Sequence, residues 1–190
     1  EGAKLLCRVI MDLAEGEIRQ GLKYYDSSLS IEAYLDKSYY KTATLIANSS
    51  KAVGVLSNVS DELAEDLYQF GRSLGLAYQV VDDILDFTGS DDVLGKPAGS
   101  DLRSGNLTAP VQYAMEEVPY LKTLIEREFS QPEDFEQALE LVHSSSGIGR
   151  ARELAMHHAS HAFERLSALP KSPSRQALED ITEYVLRRLK

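Results

Sequence analysis

Apolar residues recur along this chain at three- and four-residue intervals, the spacing that lines one face of a helix, and no stretch alternates convincingly as a strand does. Leu5, Leu6, Val9, Ile10 and Leu13 predict a helix over residues 3–24, with Gly16 and Gly21 as weak points. Ser27, Ser28 and Ser30 then mark a turn and an N-cap for a long helix over 31–57, which stacks Leu35, Ser38, Thr42, Leu45 and Ile46. Residues 58–61 interrupt it, and a further helix runs from about Asp61 to Phe87. Its Gly71 and Gly75, one turn apart, would let a neighbouring helix approach closely. The Gly, Ser, Asp and Pro content of 88–108 reads as loop. Helices are expected over 109–117, 119–130, 132–145, 148–168 and 173–189, each opened by Pro, Ser or Gly. The expected fold is all-α, an antiparallel-type bundle forming one domain over 1–190.

Composition narrows the class. Hydrophobic residues make up 43% of the 190 and charged residues 26%, the balance of an ordinary globular protein with a sizeable core. A formal charge of −10 argues against nucleic acid, which needs a basic footprint. No apolar run approaches the roughly 20 residues of a membrane span. One cysteine, Cys7, excludes an internal disulfide and is expected to be a core thiol.

The chemistry gathers in residues 76–110. Gln79, Asp82, Asp83 and Asp86 fall within a narrow arc of one helix face, inside an otherwise apolar run. Three carboxylates that close repel one another and lose hydration, so a cation is needed to compensate. Hard oxygen donors suit Mg²⁺, which keeps several waters and is usually completed by substrate phosphates. The following glycine-rich loop brings Lys96, Asp101 and Arg103 to the end of that helix, with Lys96 aimed by Gly95 and Pro97. Aspartates, magnesium and lysine together read as a diphosphate site. Earlier in the chain, Lys41 and Thr42 sit in mid-helix, where the ammonium either snorkels to the surface or meets an anion.

Tyr78-Gln79-Val80-Val81-Asp82-Asp83-Ile84-Leu85-Asp86, Gly95-Lys96-Pro97 and Asp101-Leu102 closely resemble the second aspartate-rich motif of the trans-isoprenyl diphosphate synthases. The Lys-Thr pair of that family appears as Tyr40-Lys41-Thr42-Ala43, and its Gly-Glu element as Gly16-Glu17-Ile18-Arg19-Gln20. The wording of 95–110 is most similar to the cyanobacterial and plastid branch that makes long prenyl chains such as solanesyl diphosphate. The resemblance implies an isoprenoid synthase-like helical bundle around a central cavity, usually a homodimer, in the cytoplasm or plastid stroma. It implies a prenyltransferase that condenses an allylic diphosphate with isopentenyl diphosphate. Asp82, Asp83 and Asp86 would hold Mg²⁺, and Lys41, Thr42, Gln79 and Lys96 would act on the diphosphate. Family members commonly carry a lysine where this chain has Asn106, which can still hydrogen-bond a phosphate oxygen but brings no charge. The family's first aspartate-rich motif has no counterpart before Asp82, so the chain is expected to be the C-terminal part of a synthase, inactive alone. Two other readings are a non-catalytic subunit partnering a complete synthase, and a class I terpene cyclase.

Other features carry blander expectations. Asp91 and Asp92 lie in the turn after the helix and are expected to cap it or to be solvated. His157 and His161, four apart, have a metal-compatible spacing but no evident third ligand, and an exposed polar face is expected. Ser144-Ser145-Ser146-Gly147 lacks the lysine of a phosphate loop and is expected to cap a helix.

Overall fold

A computed structural model of the chain describes residues 2–21, 24–89 and 97–189. Ten α-helices are described: α1 (Gly2–Gly21), α2 (Ile31–Ser38), α3 (Thr44–Leu56), α4 (Asp61–Thr88), α5 (Ser100–Arg103), α6 (Ala109–Glu117), α7 (Pro119–Glu126), α8 (Asp134–Ser144), α9 (Gly147–Leu166) and α10 (Pro173–Arg187). No strand occurs among the described residues, so the all-α expectation holds. No helix among them is long and apolar enough to cross a membrane.

The axis of the fold is α4, 28 residues long, packed between α3 and α9. Ser60 starts it by accepting the backbone N–H of Leu63, and Asp61 and Glu62 in the first turn complement the helix dipole. Against α3, the two glycines do what their spacing implies. A Cβ on Gly71 would lie 2.6 Å from the Ile46 carbonyl oxygen, and one on Gly75 2.6 Å from the Ala43 Cα. Neither backbone could take a side chain there without the helices separating. Against α9, the close contact comes from Ala151, Ala155, Ala159 and Ala162, all fully buried at three- and four-residue spacing. Phe70, Leu74, Val80, Val81 and Ile84 of α4 fill the space between them. A second apolar cluster, built on Leu121, Leu124, Ile125 and Phe135, joins α7 and α8 to Phe87 at the end of α4 and to Leu102 of α5.

The long helix expected over 31–57 is present as an unbroken helical run over 31–56, but it is not α-helical throughout. Between α2 and α3, Tyr39–Ala43 form a π-helical turn. Sequence periodicity does not report such a widening, because a single π-helical turn is too short to set a period of its own. The turn lies where α1 crosses: a Cβ on Gly16 would sit 3.1 Å from the Lys41 nitrogen and the Tyr40 carbonyl carbon. Buried Asp12 braces the same crossing, accepting from Thr44 Oγ1 at 2.7 Å and from Arg8 Nε at 2.9 Å. The region 88–108, expected as loop throughout, contains the short helix α5. Cys7 is exposed, not a core thiol, because it lies on the outer face of α1 beside Leu6, Ile10 and Met11, which are exposed as well.

Candidate functional site

The three aspartates of α4 share a helix face but not an environment. Val80, Val81 and Ile84 around them are fully buried, so the helix sits deep in the fold at this point. Asp83 is 3% exposed and accepts two hydrogen bonds, from the Tyr34 hydroxyl at 2.5 Å and from Gln79 Nε2 at 2.8 Å. Gln79 is fixed in turn by Thr42, whose hydroxyl donates to its Oε1 at 2.6 Å. This amide is a hinge between the π-helical turn and α4: its oxygen is engaged by Thr42, so its nitrogen must point at Asp83. Burial pushes the Asp83 carboxyl up to about 7, against the two hydrogen bonds and Lys37, which favour its charged form. A carboxylate so poorly solvated is a group that gains from a cation nearby.

Asp86 does a different job. Its Oδ1 accepts from the Ser100 hydroxyl at 2.8 Å and its Oδ2 from the Asp101 backbone N–H at 3.0 Å. Its own carbonyl accepts from Gly99 N at 2.8 Å, and Gly99 has φ +70°, a left-handed conformation that glycine takes at no steric cost. Asp86 therefore fastens the loop to the end of α4 and starts α5. Asp82 is the most open of the three, its side chain 35% exposed. Its Oδ1 lies 2.6 Å from Nη2 of Arg188, just past α10, and that guanidinium stacks on the Tyr78 ring at 4.8 Å. The expectation of three acids turned on one point is thus corrected: two are satisfied by protein donors and the third by an arginine. Helical periodicity places side chains on a face but cannot assign the partners that other elements bring.

Two adjoining cavities form one polar crevice. The larger, about 290 Å³, is lined by Asp82, Asp86, Leu85 and Arg188; the smaller, about 110 Å³, by Lys37, Lys41, Asn106 and Thr108. Gln79, Asp83 and Asp101 line both. Lys41, Gln79, Asp82, Asp83, Asp86, Asp101 and Asn106 are therefore brought together around one crevice, with Thr42 behind Gln79 as its hydrogen-bond donor. Lys41 is at its rim, 43% exposed and 3.7 Å from Glu17 Oε1, so its ammonium snorkels instead of being buried. Glu17 belongs to the Gly-Glu element, which meets the Lys-Thr pair through the α1 crossing. Arg103 turns away from the crevice to stack on Phe135 at 3.7 Å. Lys96, Asp91, Asp92 and the Gln20 side chain lie outside the described residues.

Among the crevice residues that sequence reasoning did not assign to the site are Tyr34, Lys37, Thr108 and Arg188. Lys37 stands one helical turn before Lys41, and Tyr34 three residues before that, a spacing that flags both on the same face. Nothing along the chain signals Arg188. Of the histidines, His157 is exposed and its ring lies 4.5 Å from that of His161, while His158 is half-buried with no partner for Nε2. At the start of α9, Ser146 donates through its backbone N–H and hydroxyl to Glu117, so this helix end is satisfied by protein.

No three acidic, histidine or cysteine groups among the described residues are already converged to hold a metal ion. The donor set nevertheless fits a hard divalent cation. It is all oxygen, it surrounds one crevice, and the most open carboxylate, Asp82, is already paired with a cationic group.

Fold and crevice define an all-α protein with an acidic, lysine-edged site lined by α2, the π-helical turn, α4 and the segment that begins with α5. The polyprenyl synthetase family profile matches residues 1–142, and the chain belongs to that family. It is 56% identical over its whole length to a prenyl transferase of Synechocystis sp., of which it covers 58%. It is 49% identical to the chloroplastic solanesyl-diphosphate synthase 2 of Oryza sativa subsp. japonica, covering 47% of that protein. Among solved structures, heptaprenyl diphosphate synthase from Staphylococcus aureus superposes with a TM-score of 0.93 at 31% identity, over 100% of this chain and 60% of that one. The chain therefore spans roughly half the length of the curated relatives it matches.

Proposed function

We propose that this chain carries the diphosphate-ionising half of a trans-polyprenyl diphosphate synthase of long-chain, solanesyl type. Its substrates would be an allylic diphosphate and isopentenyl diphosphate. The observation that carries this reading is the hydrogen-bonded series Thr42–Gln79–Asp83–Tyr34, which ties the Lys-Thr pair to the aspartate motif across one crevice. Asp82 is the residue free to face a bound metal once Arg188 yields, with Asp83 beside it and Asp86 holding the loop. Mg²⁺ held there would supply positive charge to a departing diphosphate.

The chain's own groups divide the remaining work. Lys41 and Lys96 would place fixed cations on the leaving group's oxygens. The Thr42 hydroxyl and Gln79 orient that group, and Asn106 offers a neutral donor from the opposite wall. Apolar side chains packed behind α4 exclude water from the site, where water would quench an allylic cation. We assign all 190 residues to one domain, acting as a homodimer in the cytoplasm or plastid stroma. Exposed Leu6, Ile10, Met11 and Ile18 on α1 support association. Turnover by these residues alone is not expected, because one aspartate motif supplies one side of the charge cradle.

The test is thermal stability with and without Mg²⁺ plus inorganic diphosphate. A ligand bound only to the folded state at about 100 times its dissociation constant adds about 2.7 kcal/mol, an increase of roughly 5–10 °C for a chain of this size. The Asp82→Ala variant should lose most of that increase. An equal increase in the variant removes the site assignment, and no increase in the parent removes the function.

A further inference from the structure

The smaller cavity holds a cation and a hydroxyl that the reading above does not use. Lys37 of α2 donates from Nζ to Asn106 Oδ1 at 2.5 Å and lies 5.7 Å from the centre of the Tyr34 ring. Asn106 cannot drift, because the turn that carries it is closed on both sides. Its backbone N–H donates to the Asp101 carbonyl at 2.9 Å, and Gly105 before it has φ +79°. The Tyr25 ring packs on Gly105, while the Tyr25 hydroxyl donates to the Arg103 carbonyl at 2.8 Å. The contact thus sets an ammonium at a fixed point of the wall.

Next to it is Thr108, 1% exposed, whose Oγ1 has no hydrogen-bond partner. Thr108 is the N-cap of α6, a position whose hydroxyl normally accepts a backbone N–H of the first turn. Here it does not, and Pro110 removes one of the N–H groups it could have used. A buried hydroxyl left without a partner costs free energy, so its presence at a cavity wall points to a partner that is bound from outside. The cavity, about 110 Å³, has room for a few waters or one phosphoryl group. Asp83 and Asp101 line its far side and would repel a bare anion. The ligand that fits is consequently a phosphoryl group accompanied by a divalent cation on the aspartate side, with the lysines on the other.

We propose that Lys37, held in place by Asn106 and flanked by the Thr108 hydroxyl, is a substrate-binding residue that grips one phosphoryl group of the metal-bound diphosphate. This rests on the diphosphate reading of the crevice and assigns it a third ammonium, besides Lys41 and Lys96. It also makes a geometric demand. Because Nζ of Lys37 meets the side chain of residue 106, a cation introduced from position 106 would enter the same cavity from the opposite wall.

The experiment is calorimetric titration of the chain with inorganic diphosphate in Mg²⁺, beside a thermal melt of each variant. Lys37→Met should weaken binding roughly ten- to a hundredfold, the range of a lost charged hydrogen bond. Lys37→Arg should keep most of the affinity, and the double variant Lys37→Met/Asn106→Lys should return to within about threefold of the parent. A lysine that merely braces α2 against the turn would lower the melting temperature in Lys37→Met and leave the affinity alone, which overturns the proposal. A double variant binding no better than Lys37→Met overturns it as well. If the parent binds no diphosphate, the diphosphate reading of the whole crevice fails; if the parent binds and Lys37→Met matches it, only the assignment of Lys37 fails.

Discussion

Replacing Asp83 by asparagine should stabilise the metal-free protein, and only above acidic pH. The carboxyl's ordinary value is 3.8, and burial raises it to about 7 in the fold. Between those two values the unfolded chain is ionised while the folded chain keeps its proton, so the folded state loses ground as pH rises. At about 1.4 kcal/mol per pH unit, the cost at neutral pH and above is about 4 kcal/mol. Asparagine removes that cost. It also weakens one of the two hydrogen bonds from Tyr34 and Gln79, worth about 1 kcal/mol. The net gain near pH 8 is therefore about 3 kcal/mol, or roughly 6–12 °C, and near pH 4 it vanishes or turns into a small loss. His158 works in the opposite direction. Burial pushes its imidazole from 6.5 down to about 4, helped by His157, Arg72 and His161. Its unfolded form takes up a proton first as pH falls, so stability of about 3 kcal/mol is present above pH 6.5 and lost towards pH 4. In the parent the two slopes nearly cancel between about pH 4.5 and 6.5. Urea unfolding followed by far-UV circular dichroism in EDTA should show a flat parent over that window. The Asp83→Asn variant should climb with pH, and the His158→Met variant should fall. An Asp83→Asn variant no more stable than the parent near pH 8, or two variants with the same slope, would refute the assignment of these buried groups.

Two further outcomes test the packing and the charge arrangement. Gly75→Ala should cost about 2–3 kcal/mol in unfolding experiments, because its Cβ would meet the Ala43 backbone at the end of the π-helical turn; a melting temperature unchanged from the parent would show that α3 and α4 are not so close. Arg188→Ala should tighten Mg²⁺ binding several-fold in a calorimetric titration, since the guanidinium on Asp82 competes with the ion for the same carboxylate, and should cost little stability because the pair is partly solvated. Weaker Mg²⁺ binding in that variant would mean Arg188 assists the site instead of competing for it.

Much of the fold could be read along the chain because its signals are local. The Ser30 cap and the apolar spacing act through neighbours a turn or two away, the Gly71/Gly75 pair is itself one turn, and each appears in the structure where expected. The candidate site was legible for the same reason: Gln79, Asp82, Asp83 and Asp86 are one helix face, and the Lys-Thr and Gly-Lys-Pro elements resemble a known pattern. What failed to show was whatever depends on a second element. The widened turn at Tyr39–Ala43 exists where α1 crosses at Gly16, and periodicity is nearly blind to it. Asn106 could be seen as a departure from the family's lysine, but not that Lys37 reaches the same point from α2.

By itself, the sequence determined that this is a helical protein of the polyprenyl synthetase family with an aspartate-rich, oxygen-donating helix face. Only the tertiary structure decided how those acids differ. Asp83 is buried under the Tyr34 hydroxyl, Asp86 is fastened to the loop, and Asp82 faces an arginine more than a hundred residues away. A carboxylate's charge, affinity and availability are set by desolvation and by the donors around it. Those are supplied by elements distant in sequence, so they exist only once α2, α4, α5 and the segment after α10 have met.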